Sequence, residues 1–344
     1  MDGFSFGDAW THYLGNTGRY EVMEAVVNAA PAQRMWAREH SVRHSEEQWA
    51  FDILQAQLQD FKPDVWFCHS WIAPEQRLRL RAACPSIRFV VGYDGALNHD
   101  PDALAGCDAV LTCVRESADF YTRRGLKGYW LPWGFDPRVC ERLHPSARPR
   151  GGVFCGSLGL LEKSHYGRVK LLDLLHAHPD FDVYIRGFNG RAVERQALSA
   201  LRHGSWDRAW QILVHYQSLT RLRAGNRGTR YGLEMFKVLA DAKVVLNMHG
   251  DAVTTAANIR LFEATGVGSC LLTDWKDDLR ETFDPDSEVV TYRSDEECVE
   301  KLDYLLAHDR ERQLIAEAGQ RRCHRDHRIG DRIVAFADET LAHI

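Results

Sequence analysis

Between Lys243 and Thr273 the chain passes from one apolar run to another through a polar loop and a short helical segment. The first run is Lys243-Val244-Val245-Leu246-Asn247 and the second is Ser269-Cys270-Leu271-Leu272-Thr273. Short continuous apolar runs bounded by turn residues read as strands buried on both faces. A helix between two such strands makes a strand–loop–helix–strand unit, the element of an open α/β sheet. This stretch excludes an all-helical or all-β chain.

The same alternation runs through both halves. In the front half, helical periodicity spans Tyr20 to Ala37 and Glu46 to Phe61, and Asp64 to Cys68 is a strand after a Lys-Pro break. A helix from Pro74 to Ala83, strands Ile87–Gly92 and Ala109–Cys113, and a helix from near Ser117 follow. The back half restarts with strand Gly152–Cys155, helix His165–His176 and strand Phe181–Ile185. Helices then dominate to about Ala242; after the central unit come strand Val289–Tyr292 and helices Asp295–Ala307 and Arg310–His324. The expectation is two doubly wound, Rossmann-like domains, residues 1–146 and 147–327, joined through the Pro- and Arg-rich stretch His144–Gly152. A last helix, 328–344, follows. Domains of this class open with a strand, whereas residues 1–8 read as the loop that follows one.

Composition narrows the function classes. A chain of 344 residues suffices for two domains, and a formal charge of -5 offers no basic excess for a nucleic-acid partner. No apolar run approaches the roughly 20 residues of a transmembrane helix, and no signal pattern opens the chain. The nine cysteines are odd in number, form no CxxC pair and fall largely inside strand segments, which points to a reducing cytoplasm.

Several residues carry chemistry. Helix-start amides and Arg260 suit phosphate oxygens, and Glu263 suits ribose hydroxyls, so the central unit fits a sugar nucleotide. Gly266-Val267-Gly268 precedes a strand, the wrong order for a dinucleotide fingerprint, and reads as a tight helix-to-strand turn. Gly156-Ser157-Leu158-Gly159 has the right order; it is either a pyrophosphate-facing turn, with Lys163, His165 and Arg168 nearby, or a plain connection. His249 closes a strand and either faces the phosphates and sugar or is structural. In the front half, His69 and Asp94 follow strands, where an open sheet binds ligands. With Asp8 and His99 they are the candidates for a catalytic base. Asp274 to Asp278 reads as a solvated acidic loop, and His324 with His327 lacks a third ligand, so no metal site is expected.

The segment Ala257-Asn258-Ile259-Arg260-Leu261-Phe262-Glu263 through Asp274, with Arg230-Tyr231-Gly232-Leu233-Glu234-Met235, resembles the donor-binding region of CgeB-like glycosyltransferases. These form a branch of the two-domain GT-B enzymes. The resemblance implies a cytoplasmic, metal-independent, hexosyltransferase-like enzyme with no cofactor beyond a nucleotide-sugar co-substrate. Its acceptor would be a glycan, protein or small molecule. It also implies that Glu263 binds the donor ribose, that Asn258 lies in the donor site, that Tyr231 and the backbone at Gly232 meet the base unless Tyr231 is core, and that the last helix packs back on the front domain. Retaining GT-B enzymes have a second Glu eight residues before the first, where this chain has Thr255. That departure keeps open a sugar-nucleotide epimerase or phosphorylase, or a non-catalytic glycan-associated protein.

Overall fold

The computed structural model describes residues 6–69, 72–95, 100, 102–144, 147–158, 167–186, 192–250 and 253–341. The chain divides into two compact units. The front unit is Asp8–Pro132 with the chain from Gly330 onward, and the back unit centres on Trp133–Ile329.

The front unit holds four parallel strands in the order β1 (Val65–His69), β2 (Phe89–Tyr93), β3 (Ala109–Thr112) and β4 (Lys127–Trp130). Helices Trp49–Phe61, Pro74–Ala83 and Arg115–Arg123 alternate with them. Pro74 stands at the first turn of its helix, where the missing N–H is no loss. Trp66, Cys68, Val90 and Val110 join Leu54, Leu58 and Leu80 in one core, so apolar strand positions are matched by helix faces. The carboxyl-terminal segment completes this unit. Phe336 meets Trp10 and Tyr129 edge-on at 5.9 and 5.5 Å, and Asp338 pairs with Arg19 at 2.7 Å.

The back unit holds five parallel strands in the order β6-β5-β7-β8-β9: β5 (Arg150–Gly156), β6 (Phe181–Ile185), β7 (Ala242–Asn247), β8 (Cys270–Asp274) and β9 (Val290–Tyr292). Alternate residues of each strand enter two separate cores. Phe154, Val183, Val244, Leu246 and Leu272 pack on one face, and Val153, Cys155, Tyr184, Val245 and Leu271 on the other. A strand read from sequence as a continuous apolar run is thus buried on both sides. Gly268 turns the chain from helix Arg260–Gly266 into β8 with φ of +79°, and a Cβ on Gly266 would stand 2.3 Å from the Phe135 ring. Both glycines are steric requirements of the helix-to-strand turn.

Three differences from the sequence reading have local causes. The helix expected over Tyr20–Ala37 begins only at Ala30, because Pro31 sits in its first turn and cannot lie in a helix interior. β4 was not expected; it is an edge strand whose burial is only partial, so its residues show no apolar run. The division between units falls at Pro132/Trp133, ahead of His144–Gly152. Phe135 and Val139 are buried in the back core, and Arg148 donates to the Ala240 carbonyl at 2.8 Å, the Val267 carbonyl at 3.2 Å and Ser269 Oγ at 2.7 Å.

Candidate functional site

In the back unit the chain moves from β5 outward to β6, then returns to the other side of β5 with β7. The sheet therefore has its topological switch point between β5 and β7, and ligands of open α/β sheets bind outside the carboxyl ends of such strands. Ser157 and Met248 follow those ends. Arg168 spans them, donating to the Ser157 carbonyl at 2.9 Å and the Met248 carbonyl at 2.5 Å. Asn258 donates to the same Met248 carbonyl at 3.2 Å, while its Oδ1 accepts from the Arg260 amide at 3.0 Å. Arg168 and Asn258, both expected near a donor, serve here as braces that set the two strand ends.

Glu263 lies one turn into helix Arg260–Gly266 and is 2% exposed. Arg260 Nη1 is 2.7 Å from its Oε2 but not in line for a hydrogen bond, and neither carboxylate oxygen has a hydrogen-bond partner among the described residues. Burial pushes the Glu263 carboxyl above the ordinary range, and the Arg260 charge only partly opposes that. Arg260 is itself fixed: Nη2 donates to the Cys155 carbonyl on β5 at 2.9 Å, and the guanidinium lies 3.5 Å from the Met235 sulfur. The guanidinium expected at a diphosphate thus ties Glu263 to the end of β5.

His249 and Asp274 occupy matching places after β7 and at the end of β8, whose strands pair through Asn247 and Thr273. Asp274 Oδ1 accepts from the His249 amide at 2.9 Å and lies 2.7 Å from its Nδ1. Burial would raise the Asp274 carboxyl, but the His249 hydrogen bonds and charge, with Lys276, outweigh it and hold the group below the ordinary range. An ionised Asp274 is acceptor-only and fixes a proton on Nδ1. The opposite ring nitrogen, Nε2, is buried with no hydrogen-bond partner among the described residues. Sequence reasoning placed Asp274 in a solvated acidic loop. The signal that could have found it is its position directly after an apolar strand, one strand over from His249.

The remaining donor-side candidates are spread around these groups. The Gly156 carbonyl continues the β5–β6 ladder by accepting from the Arg186 amide at 2.8 Å. Tyr231 precedes helix Gly232–Ala240, is half exposed, and has the Arg186 guanidinium 5.7 Å from its ring centroid, so it is not a core residue. Gly232 starts that helix with φ of +52°, a conformation that favours glycine. The loop that carries Thr255 is held from the β8 side, where Asp278 accepts from the Ala256 amide at 2.8 Å and Lys276 donates to the Val253 carbonyl at 2.6 Å. Lys163, His165 and Gly159 lie outside the described residues.

In the front unit, Asp94 follows β2, is 4% exposed and accepts from the Tyr121 hydroxyl at 2.6 Å. Its own amide donates to the Leu111 carbonyl at 3.0 Å, which ties it into the end of the sheet. His69 ends β1; Asp8 precedes helix Ala9–Gly15, its carbonyl accepting from the His12 amide at 2.9 Å. His99 lies outside the described residues. Among the described residues no group of three or more His, Cys, Asp or Glu side chains is placed to hold a metal ion.

Residues 168–338 match the family described as glycosyl transferase-like. Among solved structures the chain is similar to sucrose-phosphate synthase from Thermosynechococcus elongatus, at 12% identity and a TM-score of 0.57, over 86% of this chain and 78% of that one. It is equally similar to Anabaena Alr3699/HepE in complex with UDP-glucose, at 12% identity and a TM-score of 0.57, over 90% and 89% of the two chains. The amino-terminal domain of Candida albicans trehalose-6-phosphate phosphatase follows at 11% identity, TM-score 0.52, over 90% and 79%. No curated protein matches the sequence. At such identities the structural likeness establishes the fold: two Rossmann-like α/β domains of the GT-B type, with a glycosyl transferase-like match that spans the strand-end groups from Arg168 onward.

Proposed function

We propose that this chain is a glycosyltransferase that moves a hexosyl group from a nucleotide-activated donor to an acceptor hydroxyl or amine. The observation that carries the reading is the Glu263 carboxylate, buried beside the switch point and ion-paired to Arg260 but with neither oxygen hydrogen-bonded among the described residues. A buried carboxylate without hydrogen bonds is costly, and a vicinal pair of ribose hydroxyls would satisfy both oxygens. His249 supports the same reading. Its Nε2 sits at the end of β7, the neighbour of the strand whose end holds Arg260, and would meet an oxygen of the donor's diphosphate or sugar.

In this reading the acceptor oxygen or nitrogen attacks the anomeric carbon, the bond to the diphosphate oxygen breaks, and the acceptor proton passes to a base. His249 and the strand-end backbone would offset charge on the departing nucleoside diphosphate without a bound metal. The base candidates are Asp8, His69, Asp94 and His99, of which Asp94 accepts from the Tyr121 hydroxyl. Because HepE was solved with UDP-glucose, UDP-glucose is the first donor to try. The reading is tested by UDP release from UDP-glucose across an acceptor panel, with and without chelator. Acceptor-dependent release that survives chelation supports it; release that needs a divalent ion would remove the metal-free part, and no release with any nucleotide sugar would remove the whole.

A further inference from the structure

Outside the strand-end site, the back unit carries a helical pair, Ala192–Arg202 and Trp206–Val214, joined by a short turn and followed by helix Tyr216–Gly225. Its inner side is anchored: Ala200 and Ile212 are each 1% exposed, and Ile212 and Leu219 belong to the back core. Its outer side is apolar and faces solvent. Trp206 is 71% exposed, Trp210 63%, Leu213 63% and Leu198 54%, with Leu201 also exposed.

The pattern is not a scatter of single residues. At about 100° per residue, Trp206, Trp210 and Leu213 fall within roughly 60° of arc, with Ile212 about 100° or more from each, and Leu198 and Leu201 form an i, i+3 pair on the preceding helix. Contiguous exposed apolar surface of this kind marks an interaction face. Its charge indicates the partner. Near the stripe the sequence places Arg195, Arg202 and one acid, Asp207, whereas Arg208 falls on the opposite side of its helix. Arg195 and Arg202 are exposed on the helix that carries the leucines, and the nearby Glu194 is already paired with Arg223 at 3.3 Å.

We propose that this helical pair docks the protein on the surface of an anionic lipid bilayer. Tryptophan favours the membrane–water boundary, where its ring is buried in the interface and its indole N–H stays wet, and arginines beside an apolar stripe meet lipid phosphates. A second copy of the chain is a poorer occupant, because an isologous contact through this face would bring the same arginines together with a single acid on each side to offset them. The mode is attachment and not insertion: among the described residues no helix is long and apolar enough to cross a membrane. The inference concerns a different surface from the donor site and stands whether or not the chain transfers sugar.

The test is co-sedimentation of the full chain with vesicles of phosphatidylcholine mixed with phosphatidylglycerol, and with phosphatidylcholine alone. Binding should be stronger to the anionic vesicles, weaken as salt rises, and fall by about tenfold or more in the W206S/W210S variant while its thermal melt is kept. Absence of vesicle binding by the unmodified chain, or equal binding by a folded W206S/W210S variant, would overturn the proposal. If that variant does not fold, W206F/W210F with brominated lipids decides: binding should stay within about twofold while bromine quenching of tryptophan fluorescence is lost. Quenching that persists would overturn it, and so would a dimer seen by ultracentrifugation that the W206F/W210F or W206S/W210S change dissolves.

Discussion

Arg77 in the front unit and Arg168 in the back unit are both buried arginines that donate to backbone carbonyls near strand ends. Arg77 is wholly buried and reaches the carbonyls of Ala105, Ile72 and Ala103 at 2.6 to 3.1 Å. Arg168 reaches those of Ser157 and Met248. The units differ in what stands beside these braces. In the front unit the strand-end carboxylate, Asp94, already has the Tyr121 hydroxyl. In the back unit Glu263 and His249 Nε2 are buried without hydrogen-bond partners among the described residues. Proteins satisfy nearly all buried polar groups, so unsatisfied ones next to a rigidly braced strand end mark where a ligand completes the network. The contrast between Asp94 and Glu263 supports the proposed place of the donor in the back unit.

The largest expected effect breaks the bracing of Glu263. Arg260→Ala leaves a buried carboxylate without its cation and should cost about 3–5 kcal/mol in denaturant unfolding of the back unit. Variants that still fold should lose affinity for uridine and UDP alike, because Arg260 acts through Glu263; a loss confined to UDP would place Arg260 on the diphosphate after all. Next comes Asp274→Asn, expected to cost roughly 1.5–3 kcal/mol at neutral pH, the range for a hydrogen bond to a charged group. Because the folded Asp274 carboxyl is held below its ordinary range, its contribution is complete above that range and is lost as pH falls through the folded value. The difference between wild type and variant should therefore shrink in acid, and a pH-independent difference would speak against the pair.

The front-unit counterpart should behave differently. Tyr121→Phe removes the hydroxyl on Asp94 and should destabilise by about 1–3 kcal/mol without changing UDP affinity. A change in UDP affinity there would erase the contrast between the units. Glu263→Gln should cost less than Arg260→Ala. Glu263 is held above the ordinary carboxyl range by burial, so its charge opposes folding at pH values above the folded value. Its removal offsets part of the penalty of leaving the Arg260 guanidinium without its counter-charge, a difference read in the same denaturant unfolding. A cost equal to or above that of Arg260→Ala would mean that the charge is better compensated than its surroundings indicate.

Much of the fold was legible because buried parallel strands announce themselves as short apolar runs. Phe181–Ile185 and helix Pro74–Ala83 have the bounds read from sequence, the second because Pro74 fixes its start. β4 was not legible, since an edge strand needs no continuous apolar run, and the Tyr20–Asn28 segment kept an apolar rhythm without a helix. Glu263 was singled out from its type and place on the short helix, and His249 from its place after an apolar strand. The bracing by Arg168 and Arg260 was not legible, because the acceptors of their guanidinium groups are backbone carbonyls far away in sequence. The outward turn of Trp206 and Trp210 was equally hidden, since periodicity gives a helix its stripe but packing decides which way the stripe faces.

Calorimetric titration of UDP into wild type and Glu263→Ala, with Tyr121→Phe as the front-unit control, tests the central claim most directly. The account expects wild type and Tyr121→Phe to bind alike and Glu263→Ala to bind about tenfold to a hundredfold more weakly while remaining folded, the equivalent of roughly 1.5–3 kcal/mol. Equal UDP affinity in wild type and a folded Glu263→Ala would contradict it.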